Sequence, residues 1–317
     1  ALGLAPASPD EDMLLTRPRL LRTLRSLRSL ESDPDGTHVG ELMTFAAETT
    51  KPLTADFGNA RVLSVPTGGG FTVTHSLRLF AHHLERASTP RETRADTIHL
   101  WAEVFTLAME DRVRHEEPWR LDRSYLDERS LLLDMERHRP IQPVEHDEGG
   151  TTSIVVIDGA GDAVVWSSSL NHSFGIGRVR PDGIIPNDGL ASLSRHRRAG
   201  ARPVVSLAPT IVVRNGTLEL GLAASGGEHI PTAVTQVLIG SLRVGNRRDL
   251  VAAPRFRTPF AGGLWLEGTD VAAADVLRAR GHRVRTDVPN PSAVVAASAD
   301  WAAVDPRKGG AVARAQP

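Results

Sequence analysis

Two apolar runs separated by a short polar loop dominate the middle of the chain. Ile154 to Ile157 is followed by Asp158-Gly159-Ala160-Gly161 and then by Ala163 to Trp166. β-Branched runs on either side of an Asp/Gly loop predict a hairpin. Hydroxyl residues stand at the start of the first run (Thr151, Thr152) and after the second (Ser167, Ser168, Ser169), with Asn171 close behind. Antiparallel pairing sets those two ends side by side. A second hairpin is predicted from Thr210 to Val213 and Leu218 to Leu222, because the Asn215-Gly216 pair between them accepts the positive φ angles of a type I′ turn.

Helical spacing accounts for much of the remainder. Leu14 to Leu30 carries leucines three and four residues apart with arginines between them, an amphipathic pattern with a basic outer face. Val39 to Ala47 is a second helical stretch. Val62 to Val65 reads as a short strand that runs into Pro66-Thr67-Gly68-Gly69-Gly70, and Val73 to Leu84 as the helix after it. Ala95 to Glu110 has apolar residues at 98, 101, 105 and 108, and Leu121 to Arg137 is polar but helix-prone. Further helices are expected over Pro231 to Leu242 and over Ala272 to Arg280, the latter ended by Gly281. Val294 to Val304 is strand-like, residues 1 to 12 read as a loose leader, and Arg307 to Pro317 as a disordered tail. The Pro-, acid- and Gly-rich stretch from Pro140 to Gly150 marks a boundary, dividing a mostly helical segment, 1–150, from a β-rich segment, 151–317.

Composition narrows the chemistry. Hydrophobic residues make up 40% and charged residues 24%, so a sizeable core can be buried. A net charge of −1 gives no reason to expect nucleic acid or an anionic membrane as partner. No apolar run approaches the ~18 residues of a membrane span. With no cysteine, thiolate metal sites and a Cys nucleophile are excluded. Glu145, His146, Asp147 and Glu148 are consecutive neighbours that cannot easily converge on one ion, so no metal is expected there. The glycine loop at 68–70 lacks both a following Lys-Ser/Thr and the GxGxxG spacing, so a nucleotide cradle is not expected either. No cofactor is expected, and the compartment stays open.

An amide-cleaving enzyme needs a nucleophile, a base and donors for the oxyanion. A threonine at a chain end carries its own base, the α-amine, with a pKa of about 7.7 to 8. Gly149-Gly150 before Thr151 lets the backbone bend until the Thr151 hydroxyl reaches the Gly150 carbonyl. On residue pattern alone, Thr151-Thr152 reads first as the ordinary start of a strand.

The Thr-Thr pair, the Asp-x-x-Gly-x-Ala-Val turn and Leu-Asn-x-x-Phe-Gly resemble the opening of the small subunit of the γ-glutamyltransferases, also called γ-glutamyltranspeptidases. The resemblance continues in order through Gly183-Ile184-Ile185 with Asn187, Arg202-Pro203, Ser206, Pro209 to Val212, Ser225-Gly226-Gly227 and Ala253 to Phe256. Upstream, Val62 to Phe71 and Ala95 to Arg112 resemble late large-subunit segments. The resemblance implies an α/β (α+β) fold, the αββα sandwich of N-terminal-nucleophile hydrolases, incomplete at its N-terminal side. It implies cleavage between Gly150 and Thr151, Thr151 as nucleophile and Ser169 as its hydroxyl partner. Gly226 and Gly227 would form the oxyanion hole, and Asn171 would contact the donor's amino-acid end.

Departures from the family pattern bear on the substrate. Where the family reads the donor's amino group with Gln and Asp, this chain has Gly189 and Ser192, with Asp188 as a shifted substitute. Of the paired serines that bind the α-carboxylate, the first is Val205 and only Ser206 remains, and Ser153 stands where His is usual. The substrate is expected to be a small molecule, either a glutathione-like γ-glutamyl amide or another acyl amide. Three readings therefore stand: a γ-glutamyltransferase-like enzyme, a specialised hydrolase of small-molecule biosynthesis acting on a non-glutamyl amide or C–C bond, and a non-catalytic homologue that binds a partner. The early large-subunit strands would be replaced by a second chain or a dimer partner, or the fold is a reduced one.

Overall fold

The computed structural model describes residues 48–86, 93–114, 122–140, 150–179, 185–189, 205–258, 263–268 and 271–314. The expected helices at 14–30 and 39–47 lie outside these residues, as do Gly149, the 145–148 acidic cluster, Ser192 and most of the family landmarks between 180 and 204. The chain divides into one unit comprising Ala1–Thr49 with Ile176–Pro186 and a second comprising Thr50–Gly175 with Asn187–Pro317. Among the described residues, the strands and helices all belong to the second unit.

Its backbone is a six-stranded antiparallel sheet ordered β1-β2-β5-β6-β10-β11. These strands are β1 (Leu53–Phe57), β2 (Ala60–Ser64), β5 (Thr210–Arg214), β6 (Thr217–Ser225), β10 (Ala293–Ala297) and β11 (Ala302–Val304). Strands from both halves of the sequence thus share one sheet. β2 pairs with β5 from Ala60↔Arg214 to Ser64↔Thr210, and Ser64 Oγ donates to the Pro209 carbonyl at 2.8 Å. The Asn215-Gly216 hairpin forms as predicted, with φ of 52° and 80° at those two residues.

Four helices contribute to the main core: α1 (Gly68–Arg86), α2 (Arg94–Arg114), α4 (Ile230–Val244) and α5 (Val271–Ala279). Aromatic rings run through it, Phe80 stacked on Trp101 at 4.3 Å between centroids, then Trp101 tilted against Phe105 at 5.3 Å and Phe105 against Phe256 at 6.0 Å. A short helix, α3 (Arg123–Ser130), follows Asp122, whose carboxylate accepts from the Tyr125 N–H at 3.0 Å and caps it. A small second sheet joins β7 (Phe256–Arg257), β8 (Leu264–Leu266) and β9 (Val284–Arg285), with α5 (Val271–Ala279) preceding β9.

The remaining two strands, β3 (Thr151–Ile157) and β4 (Ala163–Ser169), form the predicted hairpin and lie on the large sheet. Ser153 Oγ donates to the Ala224 carbonyl at 3.0 Å, and a Cβ placed on Gly221 would meet Val155 and Val165. Both faces of this hairpin are apolar. Val155, Ile157 and Val165 turn inward, while Ile154, Val156, Val164 and Trp166 on the other face are each 47–62% exposed.

Several expectations differ in detail. The glycine triplet is the first turn of α1 and not a loop before it, so the helix begins at Gly68. Close approach explains this: Gly69 N–H donates to the Val205 carbonyl at 3.1 Å, and a Cβ on Gly69 would sit 2.1 Å from the Ser206 carbonyl oxygen. The polar stretch 121–137 is helical only over Arg123–Ser130, and Val294 to Val304 is two strands joined by a turn. The start of the expected tail is ordered: Arg307 donates to Glu267 and Asp305.

His75 and His229 make the fold acid-sensitive. His229 is 2% exposed, and burial together with the neighbouring Arg257 pushes its pKa down to about 3. His75 is also lowered, burial outweighing its contact with Asp111. Both are neutral when folded and protonate near 6.5 when unfolded. Their contribution is therefore complete above about pH 6.5 and declines as pH falls below it, for His229 by up to about 1.4 kcal/mol per pH unit until its folded value near 3 is reached. Urea unfolding at pH 7, 6 and 5 is expected to show that decline, and His229→Gln, which keeps an acceptor for Arg257, to remove about one group's share of the slope.

Candidate active site

The hairpin's register brings the hydroxyl ends together. Thr151 pairs with Ser169, Thr152 with Ser168 and Ser153 with Ser167. Thr151 Oγ1 donates to Ser169 Oγ at 3.0 Å, and the same oxygen accepts from the Asn171 N–H at 3.0 Å. Ser153 and Ser167 share a hydrogen bond of 2.9 Å on the inward face. The pairing continues one residue before Thr151. Gly150 N–H donates to the Asn171 carbonyl at 2.9 Å, and the Gly150 carbonyl accepts from the Leu170 N–H at 2.8 Å. Both backbone groups of Gly150 are thus held by Leu170 and Asn171, just beyond the end of β4.

The two layers run in opposite directions at their contact. Val155 lies against Gly221 and Ser153 reaches Ala224, so stepping back along β3 moves forward along β6. The amino end of β3 accordingly points toward the Gly226–Gly227 end of β6. There the backbone turns sharply, with φ of 125° at Gly226 and 58° at Gly227. A Cβ on Gly226 would sit 2.6 Å from Ser292 Cα, so only glycine fits. A 3₁₀ turn, Gly227–His229, leads directly into α4, and N–H groups at such a start favour negative charge.

Asn171 has a left-handed backbone, φ 69°, at the corner after β4. The neighbouring His172 was not singled out from sequence. Its ring Nδ1 meets the Asp188 carboxylate, and its N–H donates to Asp188 Oδ1 at 3.0 Å. Desolvation works against ionised Asp188, but these bonds and the Asn171 side chain hold its carboxyl below the usual carboxylate range. Asp188 N–H in turn donates to the Leu170 carbonyl at 3.1 Å, so Asp188 joins the corner that carries Ser169 and Asn171. Gly189 follows with its N–H on Asn187 Oδ1 at 2.9 Å.

Ser206 lies behind the start of α1, where its hydroxyl accepts from Arg112 at 3.1 Å. Burial pushes the Arg112 guanidinium down to about 10, and nearby Glu228 opposes that shift. His229 Nε2 accepts from Arg257 at 2.8 Å. Arg112, Glu228, His229 and Arg257 escape sequence reading because each belongs to an ordinary helix or strand pattern and gains meaning from partners far along the chain.

Comparison with known proteins agrees with this arrangement of elements. The glutathione hydrolase proenzyme of Escherichia coli (strain K12) is 25% identical over 253 residues, 68% of this chain and 43% of that protein. The acylase ACY 1 proenzyme of Pseudomonas sp. (strain SE83) is 26% identical over 270 residues, 77% of this chain and 47% of that protein. The chain therefore spans less than half the length of these two relatives. The crystal structure of cephalosporin acylase from Bacillus halodurans superposes with a TM-score of 0.75 at 19% identity, covering 95% of this chain and 58% of that one, so the two share a fold. The family model described as gamma-glutamyltranspeptidase matches residues 38–315, and the chain accordingly belongs to the gamma-glutamyltranspeptidase family.

Proposed function

We propose that this chain is a γ-glutamyltransferase-like N-terminal threonine hydrolase or acyltransferase that cuts itself between Gly150 and Thr151. The observation that carries this reading is the Thr151 hydroxyl on Ser169 Oγ, at the end of the hairpin nearest the Gly226–Gly227 turn. In the processing step the Thr151 Oγ attacks the Gly150 carbonyl carbon. The peptide C–N bond breaks as the acyl group moves to oxygen, and water then splits the ester. The products are a Gly150 carboxylate and a free Thr151 α-amine.

That amine takes the Oγ proton in each later turnover, while Oγ attacks the carbonyl of an acyl donor. N–H groups of Gly226 and Gly227 stabilise the oxyanion, and the amine of the donor leaves with the proton. Water or a second amine then collects the acyl group. Asn171 and Asp188 bind the donor's amino end, where Ser192, outside the described residues, is assigned from sequence alone, and Ser206 contributes at the acid end.

Purified protein should give two fragments on denaturing gels, the smaller one beginning at Thr151 by N-terminal sequencing. It should also be labelled at Thr151 by an electrophilic glutamine analogue. An active protein that stays as one band would overturn the reading. Turnover of glutathione or a γ-glutamyl anilide then decides the donor. A second reading, acylase chemistry on a non-glutamyl amide, is favoured by Val205 in place of the first serine and by Arg112 already occupying the Ser206 hydroxyl. It expects processing without turnover of those substrates.

We also assign a partner to the outer face of β3–β4. Four large apolar side chains on one small hairpin face exceed what exposed strands usually carry. A polypeptide segment from a second chain is the cover we infer. The 317-residue chain alone should therefore bind a hydrophobic dye, and Ile154→Lys/Trp166→Lys should abolish that binding while leaving the chain folded. Dye binding unchanged by the substitutions would sink the assignment, and a dimer by light scattering would point instead to a second copy.

A further inference from the structure

A second group of titratable side chains meets deep in the protein, sharing no residue with the Thr151 site. His99 and Glu103 stand four residues apart on α2, hence on one face of it. His282 follows Gly281 just beyond α5, where its N–H donates to the Leu277 carbonyl at 3.1 Å. All three are buried, and one ligand-capable atom from each lies within 4.8 Å of the other two. His99 Nδ1 faces His282 Nε2 at 2.7 Å, with the rings nearly perpendicular.

We propose that His99 Nδ1, His282 Nε2 and a Glu103 carboxylate oxygen bind one divalent transition ion, zinc being the best match. The tautomer of His99 supports this. Its Nε2 is 2.8 Å from the Asp134 carbonyl, which can only accept, so Nε2 carries the proton and the Nδ1 lone pair faces His282. A metal-binding histidine usually presents its second nitrogen to a carbonyl or carboxylate in this way. Glu103 has comparable support: Oε1 is 2.6 Å from His138 Nδ1, and Oε2 accepts from the Arg139 N–H at 3.1 Å. The His138 ring stacks on His282 at 4.2 Å, which fixes that ring in place. Two imidazoles and a carboxylate, in a chain without thiols, suit zinc with a fourth position left for water. Donors on one zinc stand about 3.3 Å apart, so the 2.7 Å pair must open and the longer separations close by small side-chain rotations.

The ion would tie α2 to the 134–139 segment and to the end of α5, a structural role. Without metal, His282 Nε2–H donates to His99 Nδ1, and the experiment separates these two states. The full chain is produced with zinc in the medium, gel-filtered, and its metal content measured. We expect about one zinc per folded chain, about tenfold weaker zinc binding for Glu103→Gln, and none retained by His282→Ala. Cobalt-loaded protein should show visible ligand-field bands that His282→Ala lacks. If His282→Ala fails to fold, metal-stripped wild type titrated with zinc chloride still decides, with a rise in Tm of about 5 °C expected. Folded wild type that holds less than about 0.1 zinc per chain and shows no Tm shift overturns the site. Zinc retained equally by folded His282→Ala or Glu103→Gln overturns it as well.

Discussion

Thr151→Ala is expected to leave the chain uncut and to lower acyl transfer by about 10³-fold or more, because the change removes the oxygen proposed to attack. The expected loss is catalytic and not structural. Thr151 opens β3 half-buried, its backbone pairing with Ser169 does not need the side chain, and alanine loses one hydrogen bond, worth about 1 kcal/mol. Circular dichroism and the urea midpoint should therefore stay near wild type while denaturing gels show one band. Thr151→Ser retains an oxygen and should still process, more slowly or faster, but measurably. A Thr151→Ala protein that splits at the same bond and turns over substrate at the wild-type rate removes Thr151 from the mechanism. Ser169→Ala, which deletes the oxygen that both Thr151 and the Asn171 N–H address, supplies a graded companion to that test.

Asp305→Ala carries the largest expected cost to stability, about 3–5 kcal/mol. Asp305 and Arg255 are almost wholly buried, with Arg255 on the Asp305 carboxylate at 2.5 Å. Arg255 also donates to the Val251 and Ser292 carbonyls at 2.8 and 3.1 Å. Asp305 further accepts from the Val294 N–H at 3.0 Å and from Arg307 at 2.8 Å. Alanine leaves the guanidinium in the interior without its counter-charge and the Val294 N–H without its acceptor. Against a total stability of about 5–15 kcal/mol, that loss is large. Asp305→Asn keeps an acceptor and should fall between the two. Equilibrium urea unfolding measures all three proteins, and a loss under about 1 kcal/mol for alanine would show that the pair does not hold the edge of the sheet.

What could be read from residue order was whatever depends on near neighbours. The β3–β4 hairpin was legible because two β-branched runs and an Asp/Gly turn specify it within 19 residues, and that same register carries Thr151 to Ser169. The cores of α1, α2, α4 and α5 followed from their periodicity. Two- and three-residue strands such as β7, β8 and β9 left no pattern, since so short a run has no period to detect. The start of α1 at Gly68 also escaped, because those glycines answer to the backbone at 205–207 and not to local preference.

Sequence by itself therefore determined the hydroxyl-lined hairpin, which rests on short spacings that survive without the rest of the chain, and through its ordered motifs carried the family resemblance and the mixed α/β class which that resemblance implies. Tertiary structure alone decided that β2 adds to β5, that Asp188 closes on His172, that Arg112 takes the Ser206 hydroxyl, and that His99 meets His282. Those partners lie from 16 to 183 residues apart in the chain. Contacts at such separations are set by how packed layers close on one another, and no local pattern of residues encodes them.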